Sequence, residues 1–239
     1  MQSLRNSEND EMYDLRRQEM ITLKYEKKYP FVYVSHIDVL RGMVRIIRRT
    51  GFIPEFSKGF NPHMLLFFSP PLAVGVASEC EYVTADISGV DEKEFLEAFN
   101  KSCPAGVRAT ASYVTEKNPN LAGNIAASDY LFPVKDPART AEIVSFFEKC
   151  DKYTIEFTQK KEIVEKEVRG QIKAVKPVNG GITFTLATGN DNLRADRLLA
   201  GLKKDFGIET ETTDILKIAQ YVVAEGGGYT NADEYLKRG

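Results

Sequence analysis

The chain has 239 residues, of which 43% are hydrophobic and 28% charged, a composition typical of one large or two ordinary globular domains. The formal net charge of −2 argues against a protein that coats nucleic acid through bulk charge, so any site for an anion must be local. The three cysteines, Cys80, Cys103 and Cys150, form no C-x-x-C pair. Their spacing therefore predicts neither a disulfide framework nor a zinc or iron–sulfur site. We therefore expect neither a metal nor a cofactor in this chain.

Residues 1–20 are polar, carry both signs of charge and lack the apolar segment of a secretory signal. They are predicted to form a flexible N-terminal arm. No later apolar run approaches the length that spans a bilayer. We expect a cytoplasmic protein that does not bind a membrane, and its oligomeric state stays open.

The first half of the chain predicts a strand, a helix, two strands, a helix and a strand. A β-branched and aromatic strand begins at Ile21 and is interrupted near Pro30, and a helix follows from Ser35 to Gly51. Further strands are predicted at residues 64–69, 80–87 and 107–114, and a second helix is predicted at residues 91–101. This order is the ferredoxin-like pattern βαββαβ, and we assign it to residues 21–117.

The second half is predicted to repeat that order. Residues 118–128 are rich in turn formers and small residues and are interpreted as a linker. Residues 129–225 form the second ferredoxin-like domain, with an additional strand or loop near residues 160–165, and residues 226–239 form a loose tail. The predicted fold class is α+β, with two tandem ferredoxin-like domains and mainly antiparallel sheets; the alternative is one mixed domain with a larger sheet.

The predicted helix after Ser35 carries two distinct stripes. Its apolar positions at helical spacing are expected to face a sheet, and they are Ile37, Leu40, Val44 and Ile47. The second stripe consists of Arg41, Arg45 and Arg48, three like charges that repel each other and lack an acidic residue at i+4 in the same helix. A charge from outside the helix must balance them. The alternative to a bound anion is that the arginines lie on a solvated face or pair with Glu55, Glu79 and Glu81 from neighbouring strands.

The second candidate element is the glycine- and proline-containing segment Ser57-Lys-Gly-Phe-Asn-Pro-His63. Together with the arginines, its Lys58, Asn61, His63 and the backbone at Gly59 predict a cradle for phosphate, because forked guanidinium donors match phosphate oxygens and glycine allows close approach. RNA or a nucleotide is the favoured ligand. Whether the phenylalanines at 60, 67 and 68 lie in the core or are exposed is left open.

His36 and His63 are the two histidines of the chain and, with Asp38, meet the minimum ligand count for a catalytic metal. Their spacing defines no geometry. We therefore favour an orienting role for Ser35, His36 and Asp38 at the start of the helix and assign no catalytic residue. An enzyme that uses His36, Asp38 and His63, with or without a metal, remains an alternative.

Several separated motifs in residues 21–115 resemble the radical SAM-linked protein family. They are Ser35-His-Ile-Asp with the arginines that follow, Ser57-x-Gly-Phe-Asn-Pro-His63, Pro71-Leu-x-x-Gly75 and Ser78-x-x-Glu-Tyr82. In the second half, Glu167-Val-Arg169 looks like the acidic-x-Arg element of that family, with Glu where Asp is usual, and Arg194 lacks a proline that often follows it.

That family is a bacterial domain of unknown function that occurs alone or fused C-terminally to cobalamin-type radical SAM proteins. This chain has no C-x-x-x-C-x-x-C motif, so the resemblance implies that a partner supplies the radical chemistry. We expect an accessory binding module that presents a phosphate-bearing substrate, RNA above all, to a radical SAM protein. A protein–protein adaptor for such an enzyme is a further alternative.

Overall fold

A computed structural model describes residues 20–87, 89–159 and 162–238 of the chain. The predicted N-terminal arm lies almost entirely outside the described residues, as does part of the predicted additional element near residues 160–165. Within them the protein is α+β, with a mostly antiparallel sheet and six α-helices. The predicted α+β class with mainly antiparallel pairing is confirmed. None of the described helices is long and apolar enough to cross a membrane.

The described strands are β1 (Met20–Lys27), β2 (Leu66–Phe68), β3 (Ala77–Asp86), β4 (Val107–Thr115), β5 (Ile125–Pro133), β6 (Thr154–Gln159), β7 (Glu162–Glu167), β8 (Ile172–Val178), β9 (Gly181–Ala187), β10 (Leu216–Val223) and β11 (Tyr229–Asn231). The described helices are α1 (His36–Arg49), α2 (Glu92–Ser102), α3 (Leu121–Asn124), α4 (Pro137–Lys149), α5 (Ala195–Phe206) and α6 (Ala232–Leu236).

One sheet runs through both predicted halves in the order β4-β1-β3-β10-β5-β9-β8. β2 pairs with one end of β3, and β11 pairs with β10, while β6 and β7 form a separate ribbon. The link between the halves is the parallel pairing of Leu216 and Lys217 with Ala77 and Ser78. The division into two domains stays a prediction, but the two halves share one sheet.

Helix α1 buries a different stripe from the predicted one. Its buried side chains are Val39, Met43, Ile46 and Ile47, which pack over β1 and β3 together with Phe95 of α2. The prediction was wrong for Ile37, whose side chain is 60% exposed, and correct for Ile47. Two apolar lines with helical spacing coexist in this helix, and only its tertiary contacts select the buried one.

The C-terminal segment that was predicted to be a tail is ordered structure. Residues 229–236 form β11 and α6, and Ala232 and Leu236 are buried with Cys80 and Tyr82 against the sheet. The predicted linker differs as well, since β5 already begins at Ile125. The C-terminal elements β11 and α6 are both short, and a five-residue helix carries too little periodicity to be recognised in the sequence.

Candidate functional site

The start of helix α1 is held by hydrogen bonds among the residues that were predicted to orient it. The Ser35 hydroxyl caps the helix by accepting from the backbone N–H of Asp38 at 3.3 Å and donates to a carboxylate oxygen of Asp38 at 2.7 Å. Arg41 donates to the other oxygen of that carboxylate at 3.3 Å. These two donors, Ser35 foremost, lower the pKa of Asp38 below its ordinary value.

The arginine stripe of Arg41, Arg45 and Arg48 points into solvent. All three side chains are exposed, and at about 100° per residue they lie roughly half a turn from the buried stripe of α1. Arg45 and Arg48 form no ion pair with any described residue, and Arg41 has the single contact with Asp38. The helix therefore presents nearly uncompensated positive charge on its outer face.

The acidic residues proposed as internal partners for these arginines are engaged elsewhere or make no ion pair. Glu79 lies 3.4 Å from Lys28, and Glu81 pairs with Lys217. Glu55 forms no ion pair within the described part of the chain; its charge instead contributes, after burial, to the raised pKa of Asp86. The alternative in which the protein neutralises its own arginine stripe is thus not found in the described structure.

The 57–63 loop is an ordered projection closed at its base. The Ser57 N–H donates to the His63 carbonyl at 2.8 Å, and the His63 N–H donates to the Ser57 hydroxyl at 3.1 Å. The same hydroxyl lies 2.7 Å from Nδ1 of His63. A β-bridge between Phe56 and Met64 continues the closure below the loop. His63 therefore has a loop-closing role, which leaves the side chains at the tip free to meet a ligand.

The tip of this loop is fully exposed. Lys58, Gly59, Phe60 and Asn61 all face solvent, and the Phe60 ring has no shielding from the rest of the described protein. Phe68, in contrast, packs against the core under α1. The three phenylalanines therefore differ: Phe60 and Phe67 are exposed, whereas Phe68 is partly buried against the core.

The two histidines occupy different environments. The rings of His36 and Phe68 form a T-shaped contact with 6.3 Å between their centroids. Burial lowers the pKa of His36, although the charge of Glu81 opposes this shift. No hydrogen bond or ring contact of the described residues joins His36 to His63. Nor do the described residues contain a group of three or more His, Cys, Asp or Glu side chains arranged to hold a metal.

Sequence reasoning missed a buried ion pair at the junction of the two halves. Nζ of Lys217 lies 2.5 Å from Oε1 of Glu81, and the Ser78 hydroxyl donates to the same oxygen at 2.6 Å. The two charged side chains are 2% and 6% exposed. Burial lowers the pKa of Lys217, but the charge and hydrogen bond of Glu81 together with the neighbouring Tyr130 and Cys80 outweigh it, and the net pKa is raised. The available signal was a single lysine on the buried face of an apolar strand.

This ion pair lies between the two apolar cores. Glu81 stands opposite Tyr25, which belongs to the core beneath α1 and α2. Lys217 stands opposite Tyr130, which packs against the core beneath α4 and α5. Cross-strand partners lie on the same face of the sheet. Since Glu81 and Lys217 also contact each other, the core beneath α1 and α2 and the core beneath α4 and α5 lie on one face of the sheet. The ion pair marks the boundary between these two cores.

Motifs from both halves meet near this boundary. The N–H of Gly75 donates to the carbonyl of Val32 at 2.9 Å, and its φ of +91° favours glycine. Pro71 and Leu72 line a small cavity together with Arg194 of the second half. Arg194 is itself held by Asp196 through two hydrogen bonds of 2.9 and 2.6 Å.

The acidic-x-Arg element of the second half stabilises the fold locally. Arg169 donates to the carbonyls of Phe147 and Cys150 at the end of α4, at 2.9 and 3.1 Å. Glu167 accepts from the N–H groups of Arg169 and Tyr153, and these bonds lower the pKa of Glu167. Both charges are thus used to cap a helix end and to hold the chain beside it.

A separate cleft of about 680 Å³ lies beside the start of α4. Its lining includes Lys135 and Arg139, but also the carboxylates of Asp136, Glu209 and Asp214. The mixed charge makes this cleft a weaker candidate for an anion than the outer face of α1.

The fold and these surfaces define an α+β protein with a mostly antiparallel sheet and an exposed basic helix. The chain belongs to the family described as an uncharacterized protein conserved in bacteria (DUF2344), whose model matches residues 20–196. The match begins with β1, ends at the start of α5 and includes every predicted site residue. No curated protein matches the chain.

Proposed function

We propose that the protein is an accessory binding module that holds a phosphate-bearing substrate, RNA, for a radical SAM partner enzyme. The observation that carries this proposal is the exposed arginine stripe, in which Arg45 and Arg48 have no acidic partner in the described structure. Like charges at this spacing cost a few tenths of a kcal/mol per pair, or about 0.2–0.5. A bound phosphate backbone removes that cost and supplies forked acceptors for the guanidinium groups.

Exposed apolar side chains favour RNA over a small anion. Among the described residues, thirteen large hydrophobic side chains are exposed, and eight of these lie within residues 29–74, the segment that contains α1 and the 57–63 loop. They include Tyr29, Tyr33 and Phe60. Proteins that bind RNA single strands combine basic surfaces with exposed rings on which bases stack, whereas a lone phosphate has no use for the rings.

The proposed role of a radical SAM partner rests on the family resemblance of the motifs in residues 21–115. This chain carries no cluster-binding cysteine motif of its own. Within the proposal the protein supplies recognition and the partner supplies the chemistry.

Substitution of Arg41 and Arg45 with alanine tests the proposal. We expect the double variant to bind single-stranded RNA at least about tenfold more weakly at low salt. The slope of the logarithm of the binding constant against the logarithm of the salt concentration should also become less steep, by about 0.7 for each phosphate that the protein no longer neutralises. Fluorescence anisotropy with labelled RNA over a salt series measures both quantities. The matched control is Arg108→Ala with Arg238→Ala, which removes the same charge from exposed positions elsewhere. Unchanged binding in the test variant, or an equal loss in the control, refutes the assignment.

A protein–protein adaptor is the second candidate, and an exposed apolar patch favours it. Tyr29 and Tyr33 pack edge to face at 6.3 Å between ring centroids while both remain exposed, at 77% and 58%. Ile37 lies four residues further on, in the first turn of α1, and is exposed, as is Val74, which precedes the Gly75 that donates to Val32. Exposed apolar side chains of this kind fit a partner protein.

The adaptor hypothesis predicts that a purified radical SAM partner is retained at high salt through this patch. Replacing Tyr33 and Ile37 with serine is expected to weaken retention by about 100-fold or more, since each buried side chain contributes roughly 1.5–3 kcal/mol and about 1.4 kcal/mol corresponds to a tenfold change. Biosensor measurements of partner binding by this variant and by the Arg41→Ala, Arg45→Ala variant separate the two candidate functions. An interaction that disappears in salt and with the arginines contradicts the adaptor.

The strand orders support a finer description of the fold as two ferredoxin-like units. In the first half β4, β1, β3 and β2 follow one another, and in the second half β10, β5, β9 and β8 do the same. Numbered within each half, with the separate β6–β7 ribbon and the short β11 left out, both orders read 4-1-3-2. An experimental structure in which β2 pairs with a strand other than β3 would contradict this description.

A further inference from the structure

Phe60 is placed where the fold gains nothing from an aromatic ring. Its side chain is fully exposed at the tip of the 57–63 loop. A buried phenylalanine contributes roughly 1.5–3 kcal/mol to stability, and an exposed one forgoes that contribution. The ring is therefore available to a ligand from its faces as well as its edge.

The loop holds this ring in a prearranged position. Three contacts between Ser57 and His63 close the base, and the Phe56–Met64 bridge supports it. Gly59, directly before the ring, has a φ of +147°, and no atom lies within 4 Å of a Cβ built there. Glycine is thus required for backbone conformation rather than for space. A prearranged loop loses less entropy when it binds than a flexible one.

One positively charged side chain lies close to the ring in the chain. Lys58 is exposed two positions before Phe60. Arg49, at the end of α1, is six residues from Glu55 at the base of the loop, so their Cα atoms lie within about 20 Å of each other. Single-strand sites span about 4–16 nucleotides, enough to reach from the base of the loop to the end of α1.

We infer that the 57–63 loop is a stacking finger on which one unpaired base of a single-stranded RNA lies against Phe60. This inference rests on the proposed RNA-binding function and narrows its substrate to single-stranded segments. In a duplex the bases are stacked on one another and hidden from a protruding ring, whereas loops and ends offer them free. The arginine stripe then holds the flanking phosphates.

The test is binding of a single-stranded RNA of about ten nucleotides, within the usual range of site sizes, and of a duplex of the same length. Phe60→Ala is expected to lose about 5- to 100-fold in affinity for the single strand and to leave duplex affinity unchanged. Phe60→Tyr keeps the ring and the affinity, whereas Phe60→Leu keeps apolar bulk without the aromatic face and loses affinity. Tyr229→Ala, an exposed ring elsewhere, is the control.

A base analogue whose fluorescence is quenched by stacking supplies a direct readout, since quenching should require an aromatic residue at position 60. If single-stranded RNA binds through Arg41 and Arg45 but Phe60→Ala binds equally well, the stacking finger is refuted and the proposed function stands. Equal binding by Phe60→Leu also refutes it. If the protein binds no RNA at low salt, the proposed function and this inference fail together.

Discussion

Replacing Lys217 with methionine is expected to lower the free energy of unfolding by about 3–5 kcal/mol, because it leaves the carboxylate of Glu81 buried without its cation. The two side chains are 2% and 6% exposed, and the remaining donor to the paired oxygen is the neutral Ser78 hydroxyl. Urea denaturation followed by circular dichroism measures the loss, since the chain has no tryptophan to report on unfolding.

A second substitution distinguishes loss of the charge pair from loss of packing. Lys217→Met combined with Glu81→Leu removes both charges and is expected to recover most of the stability, because an apolar pair of similar volume is often as stable as a buried ion pair. Lys203→Met is the control: this lysine pairs with Glu211 on the surface, and its loss should cost about 0–1 kcal/mol. A double variant as unstable as Lys217→Met would contradict this account of the junction.

Replacing Asp233 with alanine is expected to cost about 1.5–3 kcal/mol, the usual contribution of hydrogen bonds to a charged group. One carboxylate oxygen accepts from Nζ of Lys24 at 2.6 Å, and the other accepts from the hydroxyls of Tyr82 and Tyr113 at 2.8 and 2.9 Å. These bonds attach α6 to β1, β3 and β4. Glu234→Ala, at the exposed neighbouring position, is the matched control and should change stability little.

The same hydrogen bonds predict a dependence on acid. Burial raises the pKa of Asp233, but the hydrogen bonds from Lys24, Tyr82 and Tyr113 together with the charge of Lys24 outweigh it, and the net pKa is lowered. A carboxyl group whose pKa is lower in the folded state stabilises the fold above its unfolded pKa, about 3.9, and loses that contribution as the pH falls through the folded value. The difference between wild type and Asp233→Ala should therefore be constant near neutral pH and shrink below about pH 4. A difference that persists unchanged at pH 3 and lower would contradict the assigned role.

Local chemistry made much of the first half predictable. Ser35 caps α1 through a hydrogen bond to a residue three positions away, and Gly51 follows the helix with a φ of +85°, so both ends of the element are determined by neighbouring residues. The spacing of the arginines also depends on helix geometry alone. The buried side of α1 was harder to predict, because Ile37 and Val39 begin two equally plausible apolar lines.

The exposure of Phe60 required the structure for a related reason. A phenylalanine between glycine and asparagine is compatible with a core or a surface position, and the outcome depends on whether another element covers the loop. The same holds for Glu81 and Lys217, whose side chains meet because β3 and β10 pair in parallel at the centre of the sheet.

The sequence by itself determined the α+β composition of the protein, the limits of α1 and the alignment of Arg41, Arg45 and Arg48 on one stripe, because each depends on residues within one or two helical turns. The tertiary structure decided what those features can do. It left Arg45 and Arg48 without acidic partners among the described residues, exposed Phe60 and joined the two halves through the buried Lys217–Glu81 pair. These outcomes depend on packing between segments far apart in the chain, and no local pattern encodes such packing.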